Sequence, residues 1–114
     1  MSECLFCKII AKQIPAKIEY EDQEVLAIRD INPQAPVHIL LIPKKHVERV
    51  ADITEKDLPS IAGLVMRAKK MAEEKQVAEK GFRLVFNSGS DGGQTVFHIH
   101  LHLLAGRIMG WPPG

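Results

Sequence analysis

The sequence predicts an α+β fold, an antiparallel sheet of about five strands that packs with one long and one short helix. Short segments that alternate or are rich in β-branched residues lie both before and after a single long segment with helical spacing. A glycine-dense stretch separates the last two predicted strands. Strands grouped on either side of one main helix favour an antiparallel sheet, because a doubly wound parallel sheet requires strands and helices in alternation.

The first half of the chain predicts one short helix and three strands. Residues Leu5 to Ala11 can form the helix, and Pro15 ends that segment. Lys17 to Glu21 alternates polar and apolar side chains, and the Asp22-Gln23 turn follows it, which predicts a β-hairpin. The predicted strands run over 17–21, 25–29 and 37–42, the last of them mostly buried and ended by Pro43.

The second half predicts one long helix and two strands. Apolar residues after Thr54 recur at helical spacing, and lysines and glutamates occupy the opposite side. Either Thr54 or Asp57 can cap this helix, and Pro59 fits its first turn. Strands are predicted over 82–86 and 96–105, with the glycine-rich loop 87–94 between them. The apolar face of the helix comprises Ile61, Leu64, Val65, Ala68 and Ala72.

Length and composition narrow the class of protein. A chain of 114 residues has about the size of one domain, so residues 1–114 are expected to fold as a single unit. The formal net charge of +1 gives no strong field, so neither nucleic acid nor an acidic membrane is expected as a partner. The first residues lack a basic segment, and no apolar run is long enough to cross a bilayer. We therefore expect a cytoplasmic protein whose anionic ligand is small.

Three histidines, His98, His100 and His102, alternate with apolar residues in the last predicted strand. In an extended strand, alternate side chains point to the same face, so three imidazoles are expected in one row at intervals of about 6.6 to 6.8 Å. A single buried histidine is usually a hydrogen-bonded core residue, whereas three in alternation beside a glycine loop favour a functional site. A neutral imidazole has a free ring nitrogen that can attack phosphorus or bind a metal.

This strand resembles the His-φ-His-φ-His-φ-φ signature of the histidine triad (HIT) family, with φ apolar, at every position. The similarity extends over nearly the whole chain, and the terminal Trp-Pro-Pro-Gly is typical of the Hint branch of that family. The resemblance implies a HIT-like fold whose sheet is extended across a homodimer. The further segments that carry it are 14–17, 30–36, His38, 42–46, 92–95 and 111–114.

The resemblance also implies an activity, that of a purine nucleoside phosphoramidase. Such an enzyme cleaves the P–N bond of adenosine 5′-phosphoramidate or of compounds resembling aminoacyl-adenylates. His100, the middle histidine, is then the nucleophile and forms a covalent nucleotidyl-histidine that water hydrolyses. His102 is expected to contact the phosphate, while His98 and His38 orient the site. No cofactor is required for this chemistry.

Further residues are expected, from the resemblance, to bind the purine nucleotide. Asp30 would receive the ribose hydroxyls, and the glycine loop would surround the phosphate. Each feature also has an alternative interpretation. Asp30 could be a solvated aspartate at a strand end, and the residues of the base slot could be ordinary core residues. The glycine loop could be a flexible connection between strands. Trp111 would serve the active site of the partner subunit. The expected base slot is Phe6, Ile9, Ile28 and Ile31, and the expected phosphate loop supplies Asn87, Gly93, Gln94 and Thr95.

Two cysteines, Cys4 and Cys7, have the C-x-x-C spacing that lets two thiolates meet at one tetrahedral metal. The resemblance implies that these cysteines, together with His46 and His98, form a structural zinc site. The alternative is a pair of thiols without metal. Bound zinc would make His98 a ligand rather than a member of a proton relay. Two rival functions also stay open, a hydrolase with catalytic zinc on the strand histidines and a nucleotide-binding module without turnover.

Overall fold

The computed structural model describes residues 3–114 and contains five strands, two α-helices and two short 3-10 turns in that part of the chain. None of the helices in residues 3–114 is long and apolar enough to cross a membrane. The elements in chain order are α1 (Leu5–Ile10), β1 (Ile18–Glu21), β2 (Val25–Arg29), β3 (Val37–Pro43), the turns Val50–Asp52 and Glu55–Asp57, α2 (Leu58–Glu74), β4 (Phe82–Phe86) and β5 (Leu101–Ala105).

The five strands form one sheet in the order β1-β2-β3-β5-β4, and every neighbouring pair is antiparallel. β5 therefore lies between β3 and β4, so the last strand of the chain pairs with two strands that precede it in sequence. This arrangement confirms the α+β fold with an antiparallel sheet of about five strands. The order places the C-terminal strand, which carries the last histidine of the row, near the centre of the sheet.

Alternating side chains cover the two faces of the sheet with two separate apolar clusters. On β3, Ile39 and Leu41 belong to the cluster beneath α2, while Leu40 and Ile42 belong to the cluster beneath α1. Because both faces are covered at this strand, β3 is a nearly continuous apolar run rather than an alternating one. The α2 face of the sheet thus carries the larger apolar cluster and the α1 face the smaller one. The site described below lies on the α1 face.

The start of α2 is fixed by polar contacts that the sequence only partly reveals. The buried Asp57 carboxylate accepts a hydrogen bond from the Thr54 backbone N–H at 2.9 Å and forms an ion pair with Lys45 at 2.8 Å. Both predicted caps therefore act together in the turn that leads into the helix, and Pro59 lies in the first turn of α2 as expected. These contacts hold the Lys44–His46 segment against the helix start.

The last strand is shorter than predicted, since β5 begins at Leu101 and not at Val96. Residues 96–100 bond instead to groups outside the ladder, because the Ile99 N–H donates to the Val47 carbonyl at 2.7 Å and the Val96 carbonyl accepts from the Gln94 side chain. His98 and His100 therefore precede the strand that was expected to contain them. Smaller differences are the end of α1 at Ile10, before Ala11, and the start of β1 at Ile18.

Gly106 follows β5 and lies against the loop that leads into β3. Its φ is +95°, and a Cβ added there would lie 2.8 Å from the Pro36 Cβ. Both the backbone conformation and the close approach therefore require glycine.

We expect Gly106→Ala to lower the free energy of unfolding by about 1–3 kcal/mol, because alanine is strained at this φ and clashes with Pro36. Gly110→Ala is the matched control, since a Cβ there meets nothing within 4 Å and Gly110 has no positive φ. Urea titration of the two variants measures the difference. Equal stabilities would contradict this account of the turn.

Candidate active site

A cavity of about 380 Å³ opens on the α1 face of the sheet, between α1, the ends of β2 and β3, and the glycine loop. His100 and His102 form its floor, and we call it the histidine cavity. The structure brings eight further predicted site residues to the same cavity. The predicted residues that line it are Phe6, Ile9, Ile28, Asp30, Ile31, Asn87, Gly93, Thr95, His100 and His102.

His100 is buried, and its ring is held in one tautomer by a main-chain carbonyl. Its Nδ1–H donates to the backbone oxygen of His98 at 2.8 Å. A carbonyl oxygen can only accept, so Nδ1 carries the ring hydrogen and Nε2 keeps a lone pair. Burial lowers the pKa of His100, which keeps the ring neutral at pH 7. The Phe6 ring packs edge-on against it with centroids 5.0 Å apart.

His102 is held by a second chain of hydrogen bonds that begins at a backbone N–H. The Gln34 N–H donates to His38 Nδ1 at 3.0 Å, so the hydrogen of neutral His38 lies on Nε2. That Nε2–H donates to His102 Nδ1 at 2.9 Å, and the remaining hydrogen of His102 is on its Nε2. Burial, together with the neighbouring rings of His100 and His38, lowers the pKa of His102 to about 4. His102 therefore offers a neutral N–H donor.

Asp30 lies at the end of β2 and contacts the same histidine chain. Its Oδ2 is 3.4 Å from His38 Nε2, and its Oδ1 accepts from the Asn32 N–H at 2.8 Å. Burial lowers the pKa of His38, and the negative charge of Asp30 opposes that shift. The carboxylate is thus held in place at the wall of the histidine cavity, where it can accept hydrogen bonds from a ligand.

The glycine loop is held closed by Gln94, a predicted phosphate-loop residue that does not line the histidine cavity. Its buried side chain accepts from the Gly89 N–H at 2.8 Å and donates to the Glu48 and Val96 carbonyls at 2.6 and 3.0 Å. Gly92 lies so close to the loop start that a Cβ would be 2.7 Å from the Ser88 oxygen. Gln94 therefore shapes the loop, whereas Asn87, Gly93 and Thr95 are the members that reach the cavity.

His98 points away from the histidine cavity and into a cluster with the two cysteines. Its Nδ1 lies 3.4 Å from Cys4 Sγ, 3.6 Å from Cys7 Sγ and 3.0 Å from His46 Nδ1. Its Nε2–H donates to the Pro43 carbonyl at 2.7 Å, which leaves the lone pair on Nδ1 inside the cluster. Burial lowers the pKa of His98 to about 4. His98 therefore stays on the α1 side, where its ring packs edge-on against Phe6 with centroids 6.0 Å apart, but it does not line the histidine cavity.

These four side chains form a group that can hold a metal ion, with all ligand atoms within 4.8 Å of one another. Zinc bonds of about 2.0–2.3 Å to nitrogen and sulfur give tetrahedron edges of about 3.3–3.8 Å. The four distances that join His98 to Cys4, Cys7 and His46, and Cys7 to His46, run from 3.0 to 3.6 Å and are close to those edges. The donor set, two thiols and two imidazoles, fits zinc.

Trp111, like His38, Gln94 and His98, does not line the histidine cavity, and Ile31 lies at its rim. Trp111 is 84% exposed in the C-terminal segment, while Ile31 is 99% exposed. The sequence analysis did not identify Leu40 and Ala16, which also line the histidine cavity. Alternation along β3 could have indicated Leu40, and the position directly after Pro15 could have indicated Ala16. The sequence analysis also missed the His98 and Pro43 carbonyls, since main-chain oxygens leave no signal in a sequence.

Comparisons with known proteins agree with this fold and site. A sequence profile for the family described as "Scavenger mRNA decapping enzyme C-term binding" matches residues 3–110. A HIT family hydrolase from Legionella pneumophila is 54% identical, with a TM-score of 0.97 over 98% of this chain and 100% of that one. An uncharacterised HIT-like protein of Synechocystis is 49% identical over 98% of this chain and 97% of its own length. A zinc-bound histidine triad protein from Mycobacterium smegmatis is 36% identical, with a TM-score of 0.79 over 92% of this chain and 76% of that one.

The fold and the histidine cavity thus define a class of protein in which histidines from neighbouring segments of a five-stranded antiparallel sheet converge on one cavity, and a solved structure of the same fold is described as a HIT family hydrolase. The chain belongs to the family of the matching profile and, by its relatives, to the histidine triad (HIT) family.

Proposed function

We propose that this protein is a nucleoside phosphoramidase of the Hint type, which hydrolyses the P–N bond of purine nucleoside 5′-phosphoramidates through a nucleotidyl-histidine. The observation that supports it most is the 2.8 Å bond from His100 Nδ1 to the His98 carbonyl, which leaves an unprotonated Nε2 on a buried ring at the cavity floor. An unprotonated nitrogen is the nucleophile that this reaction needs.

The proposed chemistry has two displacements at phosphorus. His100 Nε2 forms a bond to the α-phosphorus while the P–N bond breaks. The departing nitrogen keeps that electron pair, takes a proton from solvent and leaves as a neutral amine. Water then adds to phosphorus, the P–Nε2 bond breaks with its electrons returning to His100, and the proton of water passes to solvent. The neutral N–H of His102 donates to the phosphoryl oxygens in both steps.

The walls of the histidine cavity suit the remaining parts of a purine nucleotide. The Asp30 carboxylate accepts from the ribose hydroxyls, and Phe6, Ile9 and Ile28 give the base an apolar slot. Asn87 and Thr95 contribute polar groups beside the phosphate, where Gly93 lets the backbone approach closely. A nucleotide in this slot directs its phosphate at His100, because the slot and the histidines are joined in one cavity.

The rival in which strand histidines hold a catalytic metal agrees less well with the hydrogen bonds. Asp30, His38 and His102 are close enough to be ligands. However, His38 accepts the Gln34 N–H at Nδ1, so its Nε2 is protonated and has no lone pair for a metal. The other rival, nucleotide binding without turnover, does not account for the hydrogen bond that keeps His100 Nε2 unprotonated. Hydrolysis by the nucleophile accounts for both hydrogen-bond chains.

The nucleophile is tested with adenosine 5′-phosphoramidate and an alkaline denaturing quench followed by mass spectrometry. We expect an adenylyl adduct on the peptide that contains His100. His100→Gly should lose the adduct and at least about a thousandfold in turnover, because no other group takes the place of Nε2. Added imidazole should partly restore hydrolysis in this variant by filling the space that the side chain leaves.

Two outcomes would contradict the proposal. One is wild-type protein that turns over no nucleoside phosphoramidate, and the other is a His100→Gly variant that hydrolyses the substrate at the wild-type rate. Diadenosine polyphosphates serve as the contrasting substrates, and faster hydrolysis of these would assign the protein to another reaction at the same phosphorus.

We also propose that Cys4, Cys7, His46 and His98 hold a structural zinc ion, which would require reduced thiols and thus a reducing compartment such as the cytoplasm. The group fits zinc in donor type and spacing, and His98 is already held in the required tautomer by Pro43. Zinc bound there fixes the N-terminal segment to the turn after β3 and the segment before β5. It takes no part in the chemistry at phosphorus.

Metal analysis of the purified protein should give about one zinc per chain, and removal with a chelator should lower the melting temperature. His46→Ala and Cys7→Ser should lose zinc, whereas the neighbouring control Glu48→Gln should keep it. Adduct formation by metal-free protein that remains folded would separate this structural role from catalytic zinc. Unchanged zinc content in both ligand variants would contradict the site.

Finally, we propose a homodimer in which the sheet continues through β4. The two edge strands of the sheet differ, since β1 carries Glu19 and Glu21 whereas β4 is apolar except for Arg83. Charged edges resist pairing, so the apolar β4 edge is the one suited to a second chain. The exposed Trp111 then lies free to reach the site of the partner subunit.

Sedimentation over a dilution series should give about twice the mass of one chain at micromolar concentration. A monomer throughout the series would contradict the dimer without affecting the assignment of His100.

A further inference from the structure

A second cavity, of about 290 Å³, lies on the same face of the sheet on the far side of His102. We call it the arginine cavity because Arg83 and Arg107 line it. His102 and Asn87 line both cavities, so the two spaces meet at the place assigned to the α-phosphate. A substrate whose nucleotide fills the histidine cavity therefore has a neighbouring space beside His102 for the group on the other side of phosphorus.

The register of the sheet explains why an arginine is found there. Arg83 on β4 pairs with Leu104 on β5, which in turn pairs with His38 on β3. Directly opposite residues share a face, so these three form one row across the sheet. His102 lies two residues before Leu104 and is on that face as well. The alternation of β4 and β5 thus places a guanidinium on the same side of the sheet as the histidines.

Both guanidinium groups are held by neutral acceptors and keep their charge uncompensated. Arg83 donates to the Gly110 carbonyl at 2.7 Å, and Arg107 donates to the Gln34 and Ile108 carbonyls at 3.0 and 3.1 Å. Within residues 3–114, the ion pairs to carboxylates involve other cations and neither of these two. Each guanidinium has five N–H donors, so several remain for a ligand. Two such groups beside one cavity favour an anion.

The dimensions of the arginine cavity limit what that anion belongs to. Its volume of about 290 Å³ lies just below the range of about 300–1,000 Å³ for small-molecule pockets, which favours a small group over a second nucleoside. A planar guanidinium fork matches a carboxylate with two parallel hydrogen bonds. An amino acid joined to phosphorus through its amino nitrogen has both properties.

We propose that the arginine cavity is the leaving-group subsite of this enzyme and that Arg83 and Arg107 there bind the carboxylate of an amino acid whose nitrogen is joined to the α-phosphorus. The proposal rests on the phosphoramidase function and adds the substrate class to it. The subsite binds the carboxylate while the P–N bond breaks and releases the amino acid as product.

The test compares two substrates that differ in one charge, the adenosine 5′-phosphoramidates of glycine and of glycinamide. For wild-type protein at low salt, we expect kcat/KM to be about tenfold higher for the glycine compound, because only that compound has a carboxylate for the guanidinium groups. The ratio should fall towards one in Arg83→Gln and in Arg107→Gln, and added salt should lower it because Arg107 is exposed.

The ratio of the two substrates is independent of the fraction of folded enzyme, so partial unfolding of a variant does not affect the test. Arg83→Lys, which keeps the charge but loses the fork, should give an intermediate ratio. Lys80→Gln is the matched control, since it removes a nearby cation that does not line the arginine cavity, and its ratio should equal that of wild type.

The outcomes separate the subsite from the reaction. A wild-type ratio near one, or a tenfold ratio that persists in both arginine variants, would overturn the subsite while leaving the phosphoramidase function in place. A loss of the ratio in Lys80→Gln equal to that in the arginine variants would also overturn it, because the effect would then be the field of the whole surface. Absence of turnover with both compounds would remove the function on which the subsite rests.

Discussion

The hydrogen bond from His100 Nδ1 to the His98 carbonyl is the constraint on which the site depends. It fixes the tautomer, it fixes the ring plane, and it requires the chain at His98 to leave the ladder of the sheet. Were residues 98–100 paired as a regular strand, that carbonyl would be directed at a neighbouring strand rather than at the imidazole two residues on. The late start of β5, at Leu101, is therefore a condition for an unprotonated Nε2, and the regular strand is interrupted at the proposed nucleophile.

His98 connects two sites that have no side chain in common with each other. Its imidazole belongs to the cysteine cluster, and its main-chain oxygen accepts the hydrogen bond from His100, the proposed nucleophile. The cluster also ties the N-terminal segment, which includes Phe6, to the turn after β3, and Phe6 packs on both His98 and His100. A metal ion in the cluster can thus stabilise the position of the nucleophile without touching it, as groups behind a reacting residue commonly do.

The sequence predicts the elements of this fold well where the pattern is local. Alternation and flanking turns predict both ends of β2 and β4, and the spacing of Leu64 and Ala68 predicts the buried face of α2. Prediction fails where distant groups compete with the ladder, as at residues 96–100, whose partners are the Val47 carbonyl and the Gln94 side chain. The resemblance identifies the residues of the site, but the direction of the His98 ring depends on a contact with Pro43 that no periodicity contains.

Charge is distributed unevenly along the path from the base slot to the leaving group. Burial lowers the pKa values of His38, His100 and His102 and so keeps them neutral, and the proposed α-phosphate would meet a lone pair and N–H donors rather than a cation. A cation beside His100 would lower the electron density of the attacking nitrogen, whereas a cation beyond His102 can attract an anion without that effect. Arg83 stands in that second position, one row of the sheet beyond His102, and Arg107 lines the same cavity from the segment after β5. The register of β4 against β5 thus separates the histidines proposed to perform the reaction from Arg83, which is proposed to select the leaving group.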